Sequence, residues 1–254
     1  MSDFGIIASG LSTTQAALTD TAANLANRDT NGYGTVWMAS ANPAATLARP
    51  SQTVLQQTVL NPDLVTGSGS ALAPTALQWS DAVQLTGVST NLAIRGPEFF
   101  VVTPPGGGVA YTRNGAFTLN AVGQLALPDG SVVSGLRRAP PGSQVHISPD
   151  GQVTAQPPHG PVVALGTMAL ATFANPGGLA PQAGTLYAPT AASGPARVAP
   201  APRNGLQVGA VNPSGVSVNT AMTALIAEQT AYSANADALR VAGTVAQVAD
   251  TLHT

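Results

Sequence analysis

Cysteine is absent from the 254 residues, so neither a disulfide nor a thiolate metal site can form. Lysine is absent as well. All nine basic residues are arginine, a bias that codon preference for Arg, Ala, Gly and Pro explains more simply than any function. Charge of either sign is scarce at 8% of residues, against about 25% in ordinary soluble proteins. So little charge leaves little repulsion between copies, which suits a chain that packs against itself. A net charge of -2, with no basic cluster beyond Arg137-Arg138, argues against nucleic acid and equally against an anionic membrane surface. No apolar run is long enough to span a bilayer. No basic start leads into an apolar stretch, which predicts a chain without a cleaved signal peptide. On these features it is cytosolic, or it leaves the cell by a route that does not cleave its start.

The apolar pattern is concentrated at the two ends. Phe4, Leu11, Leu18 and Leu25 are each seven apart, with Ile7, Thr14 and Thr21 between them. That is a heptad period, the geometry of helices packed along a shared seam. The remaining positions are mostly Ala, Ser, Thr and Asn, where a solvated coiled coil carries Glu and Lys. Even the flanks look built for contact. The helix is expected to stop near Asn27 to Gly32, because Asn-Gly adopts the left-handed conformation that ends helices. A second helix, from near Val218, places Val218, Met222, Leu225, Gln229, Tyr232, Ala236 and Leu239 on another heptad seam. The stripe continues, shifted in phase, through Val241, Val245, Val248 and Leu252. Ser217 or Asn219 suits its N-cap. Gly243 inside the run costs about 1 kcal/mol relative to Ala and could mark a bend. Burying each Leu-sized group is worth about 1.5–3 kcal/mol, so both helices gain much from partners and are marginal without them.

Between the ends, Pro43, Pro50, Pro62, Pro74 and Gly67-Ser68-Gly69-Ser70 punctuate an extended, loop-rich linker. Within it, Thr53-Val54-Leu55 and Thr58-Val59-Leu60 are short strand candidates. From Val83 the signals turn to β. Leu92-Ala93-Ile94 and Phe99-Phe100-Val101-Val102 flank Gly96-Pro97, and Gly106-Gly107-Gly108 turns the chain into Val109-Ala110-Tyr111-Thr112. Asn114-Gly115, Asp129-Gly130 and Asp150-Gly151 read as hairpin turns. Further strands are expected at 132–133, 144–147, 162–165 and 168–173. The fold class is therefore α+β, with a small antiparallel sandwich or irregular barrel at its centre. The expected domains are 1–33 (helix and its closing motif), 34–82 (linker), 83–205 (β domain) and 206–254 (closing segment and helix).

Catalytic patterns are thin. His146, Asp150 and one of many serines are the raw material of a triad, but no Gly-x-Ser-x-Gly frames a serine, and Asp150 sits in a turn signal. Glu98 and Glu228 fall on different elements with no acidic partner nearby, which leaves little support for a carboxylate pair. Gly106-Gly107-Gly108 lacks the strand-then-helix context of a phosphate loop. His146, His159 and His253 lie far apart. The expectation is no catalytic, cofactor or metal site.

Several ordered motifs resemble the bacterial flagellar axial proteins that build the basal-body rod and hook. Ala22-Ala23-Asn24-Leu25-Ala26-Asn27 with Thr30-Asn31-Gly32-Tyr33 resembles the signature that ends their first helix. The stretch from Asn91 to Val102, then Tyr111-Thr112-Arg113-Asn114-Gly115-Ala116-Phe117 and Gly123-Gln124-Leu125, resembles the start of their central β domain. Met222 to Ile226 and Gln229 to Ala236 resemble their closing helix. The chain departs from the family's usual residues at Ala23, Gly34, Glu98, Asn120 and Gly215. Hook proteins carry a further outer domain and the shortest proximal rod proteins lack the β domain. That leaves the mid-sized proximal and distal rod types, and Gly67-Ser68-Gly69 with its spacing to Leu92 looks more like the distal type.

The resemblance implies a structural subunit of a helical tube that transmits torque. The two terminal helices would pack together as an inner layer, inside an outer layer of β domains. The implied assembly interface is Phe4, Ile7, Leu11, Leu18, Asn24, Leu25, Asn27, Thr30, Gly32, Tyr33, Met222, Leu225, Gln229, Tyr232 and Leu239. Asn24 and Asn27 close a helix and Gly32 supplies a positive φ in any reading; the family adds hydrogen bonds from the asparagines to neighbouring subunits and an apolar niche for Tyr33. Implied partners are further copies, other rod and hook proteins, the flagellar type III export apparatus and the outer rings, with no membrane insertion. The implied location is the rod across the periplasm, where a chain without cysteine is at ease. The alternatives are a proximal rod or short hook-type protein, a secreted β-domain adhesin and, least of all, a hydrolase.

Overall fold

The computed structural model describes residues 2–41 and 71–251. These residues form two compact units. The first contains α1 (Ser2–Ala26) as far as Leu25, α2 (Val218–Thr251), and the 37–41 and 71–76 portions of a two-stranded ribbon, β1 (Thr35–Ala41) and β2 (Ala71–Gln78). The stretch 42–70, with the strand candidates at 53–55 and 58–60, lies outside the described residues, as does Leu252. The β1–β2 pairing falls where the sequence reads as loop. Thr35-Val36-Trp37 has the β-branched and aromatic character of a strand. Its partner, however, lies beyond 42–70 with no hairpin signal, and Pro74 argues locally against a strand.

In the helical unit, the Thr21 hydroxyl donates to Glu228 Oε1 at 3.0 Å. A Cβ on Gly10 would touch the Asn235 amide at 3.5 Å. A later α1 residue thus meets an earlier α2 residue, so the helices run antiparallel side by side. Threonine suits this seam because its hydroxyl either bonds across to the other helix, as at Thr21, or turns inward onto its own helix. Thr13 donates to Ser9 O at 2.8 Å and Thr14 to Gly10 O at 3.0 Å. A compact methyl then remains for contact.

The second unit comprises residues 26–36 and 77–217. In chain order its strands are β3 (Gln84–Leu85), β4 (Leu92–Ile94), β5 (Phe99–Thr103), β6 (Ala110–Thr112), β7 (Thr118–Leu119), β8 (Leu125–Ala126), β9 (Val132–Val133), β10 (Gln144–Ile147), β11 (Gln152–Gln156) and β12 (Val163–Thr167). Then follow β13 (Ala169–Thr172), β14 (Ala180–Pro181), β15 (Tyr187–Ala188), β16 (Arg197–Pro200), β17 (Leu206–Val208) and β18 (Ala210–Val211). The largest sheet runs β14-β15-β6-β5-β9-β8-β7, with β13 branching from β5 to carry β16. The strands β10-β11-β12 form a separate sheet, and β17 and β18 return to pair with β4 and β3. Each of these pairings is antiparallel.

Strand β5 organises this unit. It bonds to β6 on one side and to both β13 and β9 on the other. Its side chains alternate between two cores. Phe100 and Val102 face a cluster with Leu92, Ile94, Phe117 and Met168. Phe99 and Val101 face a second cluster with Leu77, Tyr111, Phe173 and Tyr187. A strand buried on both faces needs a continuous apolar run, which is how Phe99-Phe100-Val101-Val102 reads. Phe99 meets Trp79, Tyr187 and Phe173 edge-on, with centroids 4.9, 6.5 and 5.6 Å away.

The expected turns at Asp129-Gly130 and Asp150-Gly151 join β8 to β9 and β10 to β11. Asn114-Gly115 does not form a hairpin, since β6 and β7 are not neighbours. Gly115 is glycine for another reason: a Cβ there would overlap the Leu92 carbonyl oxygen, and Leu92 N–H donates to Gly115 O at 2.9 Å. This close approach is a contact between distant segments and leaves no local sequence signal.

Candidate functional site

Within the helical unit, Leu11, Leu18 and Leu25 are half-buried, and Thr21 and Asn24 are buried. Phe4 and Ile7 lie on α1, in the stretch whose side chains fall outside the described residues. On α2 the covered face takes Ala221, Leu225, Glu228, Tyr232, Asn235 and Leu239. Met222 is 51% exposed and Gln229 is also exposed, so these two members of the expected seam lie to one side of it. A second apolar stripe stands open on α2, with Ile226 66% exposed and Val241, Val245 and Val248 similarly bare. Helix α2 starts directly after Ser217, which favours that residue over Asn219 as its cap.

Two carboxylates sit in this otherwise uncharged seam. Glu228 accepts from Thr21 through Oε1, while its Oε2 is buried without a partner among the described residues. Burial raises the Glu228 pKa above the usual carboxylate range and the charge of Asp20 adds to this, against the Thr21 hydrogen bond. Burial raises Asp20 as well.

The segment after α1 belongs to the β unit and is tied into it closely. Thr30 N–H donates to Asn27 O at 3.1 Å and its hydroxyl to Asn27 Oδ1 at 3.2 Å, which closes the turn. Gly32, at φ +71°, donates its N–H to Asn212 O at 2.8 Å, and a Cβ there would run into the Asn114 backbone. Tyr33 is buried, and its carbonyl accepts from Gly215 N–H at 3.3 Å. Gly34 N–H donates to the Tyr187 hydroxyl at 2.7 Å. Burial raises the pKa of Tyr187, so the phenol stays protonated.

Sequence reasoning missed Asn212. It is wholly buried; its Oδ1 accepts from Ile94 N–H at 2.8 Å, and its Nδ2 donates to Ile94 O at 3.0 Å and Ala82 O at 3.1 Å. One side chain thus holds β4 and the segment leading to it, while its backbone carbonyl holds Gly32. An Asn just before Pro213 reads locally as a turn, and nothing local distinguishes it from one. The departure at Asn120 is also accounted for: its Oδ1 accepts from Val122 and Gln124 N–H at 3.1 and 2.8 Å, the work an Asp would do there.

The candidates for rival chemistry are not brought together. His146 and His159 are exposed, and Asp150 is engaged with Asn204 N–H at 3.2 Å. Glu98 and Glu228 lie in different units. Among the described residues no group of His, Asp or Glu could hold a metal ion, and no helix is long and apolar enough to cross a membrane.

Two family models match the chain: the flagellar hook protein FlgE/F/G D1 domain over residues 93–155, and the flagellar basal body rod FlgEFG protein C-terminal region over 207–252. The first lies within the β unit and the second covers the whole of α2. Among curated relatives, the flagellar basal-body rod protein FlgG of Buchnera aphidicola subsp. Schizaphis graminum is 32% identical over 258 residues, 94% of each chain. FlgG of Caulobacter vibrioides is 30% identical over 80% of this chain and 84% of its own. FlgG of Agrobacterium fabrum is 28% identical over 98% of both. With identity at this level sustained from the first helix to the last, the chain belongs to the FlgG family of flagellar basal-body rod proteins.

Proposed function

We propose that the chain is a structural subunit of the flagellar basal-body rod, of the distal rod type, and that it carries no catalytic role. The observation behind this reading is the helical unit, in which an almost uncharged helix pair covers one face of α2 and leaves Met222, Ile226, Val241, Val245 and Val248 in the open. An isolated protein gains nothing from such a stripe, whereas a subunit with head-to-tail neighbours buries it. In this reading the helices form the inner layer of a helical tube, the β units form an outer layer that stiffens it, and the tube carries torque from motor to hook. The helical part of the expected interface, from Phe4 to Leu25 and from Met222 to Leu239, then divides in two, while Asn27, Thr30, Gly32 and Tyr33 close the turn within the β unit. Leu11, Leu18, Leu225 and Tyr232 hold the pair together, while Met222 and Gln229 meet a neighbour. The partners are further copies and the adjoining rod and hook proteins, with the outer rings outside them. Export runs through the flagellar type III apparatus without cleavage of the chain.

Ile226→Asp tests this most cleanly, because that side chain is exposed and its replacement leaves the helix pair intact. Leu18→Asp and Leu225→Asp break the pair itself. All three are expected to abolish incorporation into basal bodies and motility, while the β unit retains its melting transition. Normal swimming by the Ile226→Asp strain would sink the proposal.

A further inference from the structure

The β unit contains a cavity of about 510 Å³ that the rod reading leaves without a role. Leu77, Trp79, Pro97 and Phe99 give it an apolar wall, and two guanidinium groups, Arg95 and Arg113, border it with one carboxylate, Asp81. Arg113 is the unusual member. Its side chain is only 4% exposed, so the cation is almost wholly withdrawn from water. Nη1 and Nη2 both donate to the same oxygen, Asp81 Oδ1, at 3.2 Å. Nη2 also reaches the Gly96 carbonyl, and the Phe99 ring lies 5.9 Å from the guanidinium carbon. Nε is buried with no acceptor among the described residues.

This compensation is incomplete. The Asp81 side chain is 81% exposed, so water screens much of its attraction. Glu98 acts on Arg113 only through its charge and forms no ion pair with it among the described residues. Burial still lowers the Arg113 pKa against the pull of both acids. The site therefore lacks negative charge and lacks one acceptor. Arg95 places a second cation at the rim, tethered through Nε to Gln207 Oε1 at 3.0 Å.

We propose that this cavity receives an acidic side chain, Glu or Asp, presented by a neighbouring axial subunit, its carboxylate on Arg113 and Arg95 and its stem against Trp79 and Pro97. A planar carboxylate matches the guanidinium fork, and the apolar wall accepts the methylene stem. Asp81 at the cavity, with the charge of Glu98 also acting on Arg113, disfavours a multiply charged group such as phosphate, so a single charge on an apolar stem fits best. The carboxylate chemistry stands on the cavity alone; that a neighbouring subunit supplies it rests on the rod reading above.

The experiment titrates the ¹⁵N-labelled full-length chain with N-acetyl-glutamate amide and, in parallel, N-acetyl-glutamine amide. The chain has two tryptophans, so a Trp37→Phe variant assigns the Trp79 indole signal. The glutamate probe is expected to shift the Trp79 indole and Arg113 Nε–H resonances saturably, and the glutamine probe to leave them in place. Arg95→Gln, which keeps the buried cation and the fold, should weaken binding about three- to fivefold, as loss of an exposed charge pair does, and should lower incorporation into rods. Absence of a shift, equal shifts with the two probes, or an Arg95→Gln chain that binds and incorporates like the parent overturns the inference while leaving the rod reading intact. Carboxylate binding by a chain that never enters rods overturns the neighbouring subunit as donor, together with that reading.

Discussion

Gly34 is glycine because of its neighbours and not because of its own backbone angles. A Cβ at this position would lie 2.6 Å from the Trp79 indole nitrogen and 3.0 Å from the Tyr187 hydroxyl. The crowding comes largely from one side chain, and this makes it testable. Gly34→Ala is expected to destabilise the β unit by about 1–3 kcal/mol, the usual range for overpacking a tight site. Trp79→Leu in the same chain should recover at least about 1 kcal/mol of the sum of the two single changes, since residues in contact do not act additively. Urea melts of the four chains measure this coupling, and strict additivity would mean that the indole is not what fixes the glycine. Gly32 differs in kind. Its φ is +71° and its obstacle is the Asn114 backbone, so no second substitution relieves it. That contrast marks what a sequence reveals: Asn31-Gly32 announces a positive φ locally, whereas Gly34 answers to Trp79 and Tyr187, which only the fold brings near.

Among the elements, both helices were legible from their heptads, α1 ending at Ala26 and α2 starting at Val218. The phase of α2 was less legible. Its covered face includes Ala221 and Glu228 where Met222 and Gln229 were expected. Alanine fits either side of a seam, and a glutamate is ordinarily placed outside one, so periodicity alone cannot separate adjacent faces in so Ala-rich a helix. The half-buried glutamate makes the pair sensitive to pH. Glu228 and Asp20 have raised pKa values in the folded state, so folding favours their protonated forms. The sign follows from linkage: these groups contribute stability at low pH and lose it as pH rises through their folded-state values. The other described charges on α2, Asp237 and Arg240, pair with each other at 3.1 Å and are largely exposed. Acidification below neutral is therefore expected to slow hydrogen exchange of α1 and α2 amides, once corrected for the intrinsic rate. Glu228→Gln, which keeps an acceptor for Thr21, should flatten that dependence. An unchanged profile in the variant would remove Glu228 as its source.

At the scale of the whole molecule, the chain reads as two kinds of sequence, and it folds into two units. The β unit's hairpins were visible in Gly-rich turns and in the continuous run of β5. The order of its strands was not, because β17 and β18 return from far along the chain to pair with β4 and β3, and such pairings are set by long-range packing. Low charge, by contrast, is a property of the entire chain and carries a consequence for assembly. Among the described residues only three ion pairs form, two of them between exposed side chains close in sequence. If the exposed α2 stripe meets neighbouring subunits, as proposed above, those contacts are apolar. Raising sodium chloride from about 0.1 M to about 1 M shortens the screening length from ~10 Å to ~3 Å. Self-association driven by charge would dissolve over that range. Association of this chain, followed by sedimentation at constant protein concentration, is expected to persist, and sulfate should strengthen it by favouring burial of apolar surface. A buried carboxylate on Arg113 is shielded from bulk ions and does not alter that expectation. Dissociation at high salt would mean that charged rims, and not the Met222–Val248 stripe, hold the subunits together.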